Sequence, residues 1–590
     1  MNPSGFLQRV FRFHRGWEGS RLVSRVSGAG LTGWLLAGGL AGAVIDGGAR
    51  AAGGAEEASG AALAALWCGG CHAVPDPAAL DRATWTRNVL PEMGARLGIF
   101  DFRGRRWRPD PSLPAGTYPA EPLLPLADWA QVFDHYRDGA PAERLPAAPP
   151  PERTTGRFAV RLPPPRTDGE PAAVTAVQVD EAAGLVLVGD AAGRRVRVHD
   201  RALRPVADVP VDSPPVHFAP LGGRAWLVTL IGSLAPGDES RGGVVRLDPP
   251  GAKGENWRVT RLLRRLPRPV RTLAADLDRD GLRDLVVAGF GHARGSVTLH
   301  LARPGSRFEA LTLLGEPGAV SLALRQGDLY ALMAQGDERI LRFPAAALAR
   351  LAAPGGGTAR EASMSMSTSR SSAADAERSS FRAGGAAPIV IRRFPPERGS
   401  SSMRVLDFDG DGAADLLVTA GDNADFTPVF KRGHGIRLYL GDGRGGFRLA
   451  LFHRLDGAYG AVAEDFDGDG DRDIAAVAWF ADHSQGPDRA AGFVYLENRG
   501  PAGFRAARVP GLERLGRFAV IASGDVNGDG TPDIVLGNLA YGAPGPGTPA
   551  PALTRAWAAG PRFVVLESRP GSSGPPGRDS PGRNPPDQDP

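Results

Sequence analysis

Cysteine is almost absent: there are two residues in 590, both inside Cys68-Gly-Gly-Cys71-His72. With no others to draw on, the chain cannot build a four-thiolate zinc site. Methionine is scarce too, at six, and one of these is Met1. Aromatic residues make up only 7%, whereas glycine (80) and proline (53) abound. That balance disfavours a helical bundle and favours turn-rich β structure. Long apolar runs are missing as well. The best, Leu31 to Ile45, is short for a membrane span of about 20 residues. The body of the chain also lacks a charge excess. The formal +4 sits in residues 1–51, where six arginines face Glu18 and Asp46, and the rest carries 63 basic and 63 acidic residues. This gives no basis for a nucleic-acid partner.

Scarcity makes the one cysteine motif informative. C-x-x-C-H is the pattern of covalent c-type haem attachment. Two thiols three positions apart on one turn can add to two haem vinyl groups, and the next residue, His72, then presents an imidazole to the iron. A redox dithiol is the alternative for a bare C-x-x-C, and the adjacent His72 argues against it. Upstream, Glu56 to Trp67 is rich in Ala and Leu and predicts a helix whose small side chains let another helix cross closely. The partner is Pro125 to Gly139, where Trp129, Val132, Phe133 and Tyr136 form one apolar stripe. A second axial ligand is expected at Met93, in Leu90-Pro91-Glu92-Met93-Gly94, the only methionine of this segment. His135 and an open sixth position are the alternatives. Residues 53–145 thus read as a small haem domain, followed by a Pro-rich linker over 146–154.

Residues 1–52 read as an export signal or an uncleaved N-terminal membrane anchor. A basic stretch leads to the apolar run, and small residues around Ala49-Arg50-Ala51 offer a cleavage site. Either way the remainder is expected outside the cytoplasm, in the periplasm or beyond the cell.

A nine-residue pattern, D-x-[DN]-x-D-G-x-x-D, occurs four times. Its copies are Asp276, Asp278, Asp280 and Asp284; Asp407, Asp409, Asp411 and Asp415; Asp465, Asp467, Asp469 and Asp473; and Asp525, Asn527, Asp529 and Asp533. Carboxylates at positions 1, 3, 5 and 9 can converge on a hard cation, a carbonyl at 7 adds a ligand, and glycine at 6 makes the sharp turn. No Glu stands at position 12, and the flanks are β-type runs such as Leu285-Val286-Val287-Ala288. These are therefore calcium loops between strands and not EF-hands; acidic hairpins needing no metal are the alternative.

The loops recur about every 60 residues, and each unit carries a later strand and a Gly-Phe signal, such as Gly446-Phe447 and Gly503-Phe504. Sheet-sized repeats of this kind predict a β-propeller. The long step from Asp276 to Asp407 contains one blade without an acidic loop and a Ser/Met/Ala-rich tract over 354–386, expected to be disordered. Two further strand-rich units lie upstream, for about seven blades over 155–569. The last unit lacks a Gly-Phe strand. Gly156-Arg157-Phe158-Ala159-Val160 has its signature and is expected to complete that blade. Residues 570–590 read as a disordered tail.

These motifs resemble the FG-GAP/VCBS repeat family, with an integrin-α-like calcium-loop propeller, fused to a class I cytochrome c. The repeat resemblance covers about Leu273 to Leu566. The stretches Leu230-Ile231-Gly232-Ser233, Gly421 to Asp425 and Gly433-His434-Gly435 resemble a bacterial extracellular group carrying both modules. The resemblance implies calcium at the acidic positions above and haem at Cys68, Cys71, His72 and Met93. Asn527 departs from the pattern, and not all early units carry a loop. The expected fold is mainly β: a seven-bladed propeller with calcium loops, preceded by a small all-α cytochrome domain. The expected function is electron transfer to redox partner proteins outside the cytoplasm, with haem c and Ca2+ as cofactors and the propeller as docking scaffold. Alternatives are a propeller oxidoreductase that reduces its own haem, and an adhesion or binding protein. Asp422, Asn423, Asp425, His434 and His483 are candidates for a functional surface, with ordinary turn roles as the competing reading.

Overall fold

Seven four-stranded antiparallel sheets follow one another along the chain. The computed structural model describes residues 59–108, 116–235, 237–251, 255–352, 387–423, 429–540, 547 and 549–569. The leader, the 354–386 tract, the 570–590 tail and Asp425 lie outside the described residues. The first two blades are built from Val174–Pro210 and Pro215–Leu266, and the third from Pro269–Leu314. The fourth uses Ala319–Phe343 plus the strand Ile389–Arg393. The fifth and sixth span Ser400–Arg454 and Ala458–Ala507. The seventh joins Phe518–Gly524, Asp533–Asn538 and Phe563–Ser568 to Phe158–Arg161. Closure by the early strand is therefore as the sequence suggested. Phe158 pairs with Ser568 and Arg161 with Val565. The pairing covers the edge that Phe563–Ser568 would otherwise expose and gives the seventh blade the same four strands as the others.

Each blade's first strand packs against the first strands of both neighbours, so these seven strands form the inner ring. Second strands are sandwiched between blades and read as unbroken apolar runs. Asp284–Gly289, Asp473–Ala478 and Asp533–Asn538 are buried at every position. Each buried Val, Leu or Ile there contributes about 1.5–3 kcal/mol, enough for the sheet faces to dominate the ring's stability. Fourth strands, such as Phe447–Arg454, alternate and face solvent. All seven pairs of first and second strands carry a register shift at the same place, for example between Pro269 and Arg271 and between Ser400 and Ser402. A bulge adds local twist.

The segment before the propeller is helical, with α1 (Gly60–Trp67), α2 (Leu90–Arg96) and α3 (Leu126–Gly139). The stripe Trp129, Val132, Phe133 and Tyr136 is buried, and α1 packs across α3. Gly60 permits the crossing: a Cβ there would lie 2.4 Å from the Gln131 carbonyl oxygen and 2.8 Å from His135 Cβ. The segment is not purely α. A hairpin pairs Asp101–Phe102 with Arg105–Arg106. Arg103 and Gly104 both take positive φ, 48° and 74°, the backbone that a two-residue hairpin turn demands. Among the described residues no helix is long and apolar enough to cross a membrane.

The Pro-rich linker is pinned to the ring. Ala148 N donates to Asp456 at 2.6 Å, Arg454 donates to the Pro146 carbonyl at 2.7 Å, and Arg508 N donates to the Arg153 carbonyl at 3.0 Å. Val429 of the fifth blade is buried in the same apolar cluster as Leu63, Trp85 and Trp129. The helical segment therefore shares a core with the propeller.

Candidate functional site

The cysteine motif continues α1 as a turn. Cys68 N still donates to the Ala64 carbonyl at 2.8 Å, and Cys71 N and His72 N then both turn back to the Cys68 carbonyl, at 3.2 and 3.4 Å. Neither cysteine is in a disulfide. Cys68 is half-buried against the helical core, and Cys71 is exposed. Burial, reinforced by Cys71, pushes the Cys68 thiol up to about 11. His72 Nδ1 lies 2.8 Å from the Ala73 carbonyl. A carbonyl only accepts, so Nδ1 carries the proton and Nε2 keeps its lone pair, the tautomer a metal-bound histidine needs. Met93 lies on α2, partly buried against the same cluster as Cys68 and Trp67. By chemistry the donor set, two free thiols, an imidazole and a thioether, is of the kind a c-type haem uses, and Cys68 and Met93 border one small core. His135 also faces α1, where its Cβ borders Gly60.

The four acidic loops each connect the first and second strands of the third, fifth, sixth and seventh blades. Their internal bonding repeats. The carboxylate at position 1 accepts from the glycine at position 6: Gly281 to Asp276 at 3.1 Å, Gly412 to Asp407 at 3.1 Å, Gly470 to Asp465 at 3.0 Å and Gly530 to Asp525 at 3.0 Å. Those glycines have φ between 86° and 96°, where a Cβ would be strained. Position 3 accepts from the amide of position 5, as Asp278, Asp409, Asp467 and Asn527 all do. Position 5 in turn accepts from position 7, at Asp280, Asp411, Asp469 and Asp529.

Position 9 does something the sequence did not reveal. Asp284, Asp415, Asp473 and Asp533 are fully buried. One oxygen of each accepts a backbone amide at the end of the third strand or one residue before it: Ala302, Gly441, Asn498 and Ser568, at 2.7–2.8 Å. In three loops the other oxygen accepts the amide of position 2, and in the sixth blade it accepts the Tyr495 hydroxyl at 2.6 Å. This aspartate straps loop to sheet. Burial pushes the Asp473 carboxyl up to about 7 and that of Asp533 up to about 6, and raises Asp284 and Asp415 as well.

The loops fit a hard cation to different degrees. Three acidic ligand atoms lie within 4.8 Å of one another in the sets Asp276/Asp278/Asp284, Asp407/Asp409/Asp415 and Asp465/Asp467/Asp469. Oδ1 of Asp276 and Oδ1 of Asp407 are buried with no hydrogen-bond partner, which a cation would satisfy. The seventh-blade loop fits less well: Asn527 Nδ2 donates to Asp529 at 2.8 Å and to Glu567 at 2.7 Å. Arginines also reach the loops, Arg303 to Asp278 at 2.7 Å and Arg157 to Asp467 at 3.1 Å.

The presumed surface residues of the fifth and sixth blades are mostly interior. Asn423, His434 and His483 are 3%, 0% and 3% exposed. Both polar side-chain atoms of each are buried without a hydrogen-bond partner. Burial, then the charge of Asp422, raises the Tyr459 phenol. Asn423 and Val429 belong to the same connection between the second and third strands of the fifth blade, and Val429 touches the helical segment. That proximity depends on contacts between residues more than 300 positions apart, which no local pattern encodes.

Residues 407–476 match the FG-GAP-like repeat family, a stretch that starts at the fifth blade's acidic loop and runs into the sixth. No curated protein matches the chain. Among solved structures it is similar to the Dos1 propeller (8% identity over 67% of this chain and 78% of that one, TM-score 0.37). It is likewise similar to the periplasmic gluconolactonase PpgL of Pseudomonas aeruginosa (15%, 60% and 88%, TM-score 0.37). A third is Kuenenia stuttgartiensis hydrazine synthase (12%, 63% and 94%, TM-score 0.38). The seven-bladed fold rests on the strand pairing itself; these likenesses add no argument about function. The chain carries an FG-GAP repeat within a seven-bladed β-propeller.

Proposed function

We propose that this chain is an exported c-type cytochrome in which a calcium-braced propeller serves as the docking scaffold for redox partner proteins. The observation that carries the reading is His72, whose Nδ1 is committed to the Ala73 carbonyl one residue after two unpaired cysteines. Cys68 and Cys71 would hold the haem covalently, and His72 and Met93 would bind its iron. Bound haem supplies reversible one-electron chemistry, and a thioether ligand favours the ferrous form. The chain's own contribution is to orient the imidazole and to bury Trp85, Trp129 and Tyr136 behind the site, which keeps water from that side. Calcium would sit among the carboxylates of the four loops and cancel their mutual repulsion.

The test is a haem-stained denaturing gel and a reduced-minus-oxidised spectrum of protein matured with a cytochrome c assembly system. Covalent haem at one per chain is expected, and its absence overturns the reading. Met93→Ala should abolish the weak ferric charge-transfer band of a methionine-ligated haem; a band that survives assigns the sixth position elsewhere.

A propeller oxidoreductase feeding its own haem is the second reading. It is favoured by the shared core at Val429, which brings the helical segment onto the connection carrying Asn423. Substrate-dependent haem reduction in the purified protein would support it.

A further inference from the structure

The first strands of the blades line the propeller axis, and on the side of the third to seventh blades they border a half-open cavity of about 300 Å³. A single water needs only roughly 10–15 Å³ of such space, so this cavity holds far more than one. Its wall carries Arg271, Arg404 and Arg472 against one carboxylate, Glu464. Glu464 is already engaged: Arg472 binds it at 2.7 Å, and the Ser523 hydroxyl donates to it at 3.4 Å. Arg404 gives Nε to the Ala461 carbonyl at 2.7 Å and one terminal nitrogen to the Ile521 carbonyl at 3.4 Å. Arg271 Nε is buried with no hydrogen-bond partner.

Arg271 occupies the bulge position of its blade. In every blade the first strand shifts register just before one residue. At that position the chain has Ala176, His217, Ser321, Ser402, Gly460 and Val520, and only in the third blade an arginine, Arg271. Burial, then the neighbouring charge of Arg404, pulls the Arg271 guanidinium down to about 10. Burial, then Arg271 and Arg404, keeps His217 neutral. Thr272 N donates to His217 Nδ1 at 3.5 Å, so the neighbouring imidazole adds no negative charge beside Arg271. These two guanidinium groups act on each other as like charges, Glu464 offsets only that of Arg404, and Arg271, with an unused N–H, has no carboxylate of its own among the described residues. Guanidinium forks match the geometry of oxyanions.

We propose that the axial channel is a binding site for a small oxyanion, held between Arg271 and Arg404. The inference requires no haem and does not depend on the reading above. Sulfate represents the inorganic oxyanions and acetate the carboxylates, with chloride as the control.

The experiment is calorimetric titration of the calcium-loaded full chain at constant ionic strength. One sulfate or one acetate per chain is expected, with no chloride binding, and Arg271→Met should weaken it at least tenfold, with Arg271→Lys falling between Arg271→Met and the unaltered chain because it keeps the charge and loses the fork. Without oxyanion, Arg271→Met should melt above the unaltered chain, because a buried repelling charge is gone; an arginine of merely structural value would melt below it. Should that variant fail to fold, the unaltered chain still decides: sulfate or acetate should protect Arg271 from phenylglyoxal, read by peptide mass. Absence of binding by either oxyanion, binding undiminished in Arg271→Met, or no protection of Arg271 overturns the proposal.

Discussion

Phe158 pairs with Ser568, so the first strand of the propeller completes the last blade. The side chain of Phe158 is 5% exposed and packs edge-on against Tyr495, with ring centroids 5.1 Å apart. One residue therefore joins the closing strand to the sixth-blade core. Phe158→Ala should cost about 3–5 kcal/mol, the usual range for emptying a buried phenylalanine site. Deleting residues 155–163 should do more, by opening a sheet edge as well. Denaturant midpoints of the two variants check this; a deletion as stable as the intact chain would show that the ring does not need its early strand.

The helix crossing makes a second prediction. Gly60 leaves no room for a side chain, since a Cβ would meet the Gln131 carbonyl oxygen at 2.4 Å. Gly60→Val should separate α1 from α3 and disturb the turn that holds Cys68 and His72. The expected result is a several-fold drop in haem incorporated per chain, with the propeller's far-ultraviolet β signal unchanged. Equal incorporation would mean that the crossing does not position the motif.

Much of this fold was legible in the sequence because the propeller repeats. Four copies of one loop fixed the blade period, and the Gly-Phe signal of Gly156 to Phe158 betrayed the closing strand. What repetition could not show was anything unique to one place. The aspartate at position 9 looked like a metal ligand; its bond to the third strand depends on where that strand ends, as at Ala302 and Gly441. The hairpin around Arg103 was hidden because its turn is Arg-Gly rather than Asn-Gly. His434 and His483 read as candidates for a functional surface, with turn roles as the competing reading, yet both are buried, His483 against Trp557 of the next blade, a packing outcome no local pattern encodes.

Three other features of burial set the acid response. His199, His300 and His483 are 8%, 7% and 3% exposed, and burial pulls each down to about 4. Their folded values lie below the unfolded value near 6.5, so the unfolded chain binds protons that the fold refuses. The stability they contribute is present above about pH 6.5 and is lost as pH falls through 4. Each shift corresponds to something on the order of 3 kcal/mol at the acid end. His199 stacks on Phe563 with centroids 4.8 Å apart. His199→Phe keeps an aromatic ring there and removes the titration. Its urea midpoint should fall less steeply between pH 6.5 and 4 than that of the unaltered chain, and equal slopes would exclude His199 as a contributor.

The loops predict a stoichiometry as well as a stabilisation. Asp276 and Asp407 each hold a buried oxygen with no hydrogen-bond partner, and each has carboxylate oxygens of two loop neighbours within 4.8 Å of one of its own, Asp278 and Asp284 or Asp409 and Asp415. An ion that binds only the folded chain stabilises it by about 2.7 kcal/mol at a hundred times its dissociation constant, so chelation should lower the thermal midpoint and calcium should restore it. Asp407→Asn removes one charge from one loop and should reduce the count of tightly bound calcium by one. Asp525→Asn should have a smaller effect on affinity, because the loop it belongs to already has Asn527 and spends that amide on Asp529 and Glu567. Isothermal titration of the chelated protein separates these outcomes. If Asp407→Asn leaves both the count and the midpoint unchanged, the fifth-blade loop is held by its internal hydrogen bonds alone, from Gly412 to Asp407 and from Phe408 to Asp415.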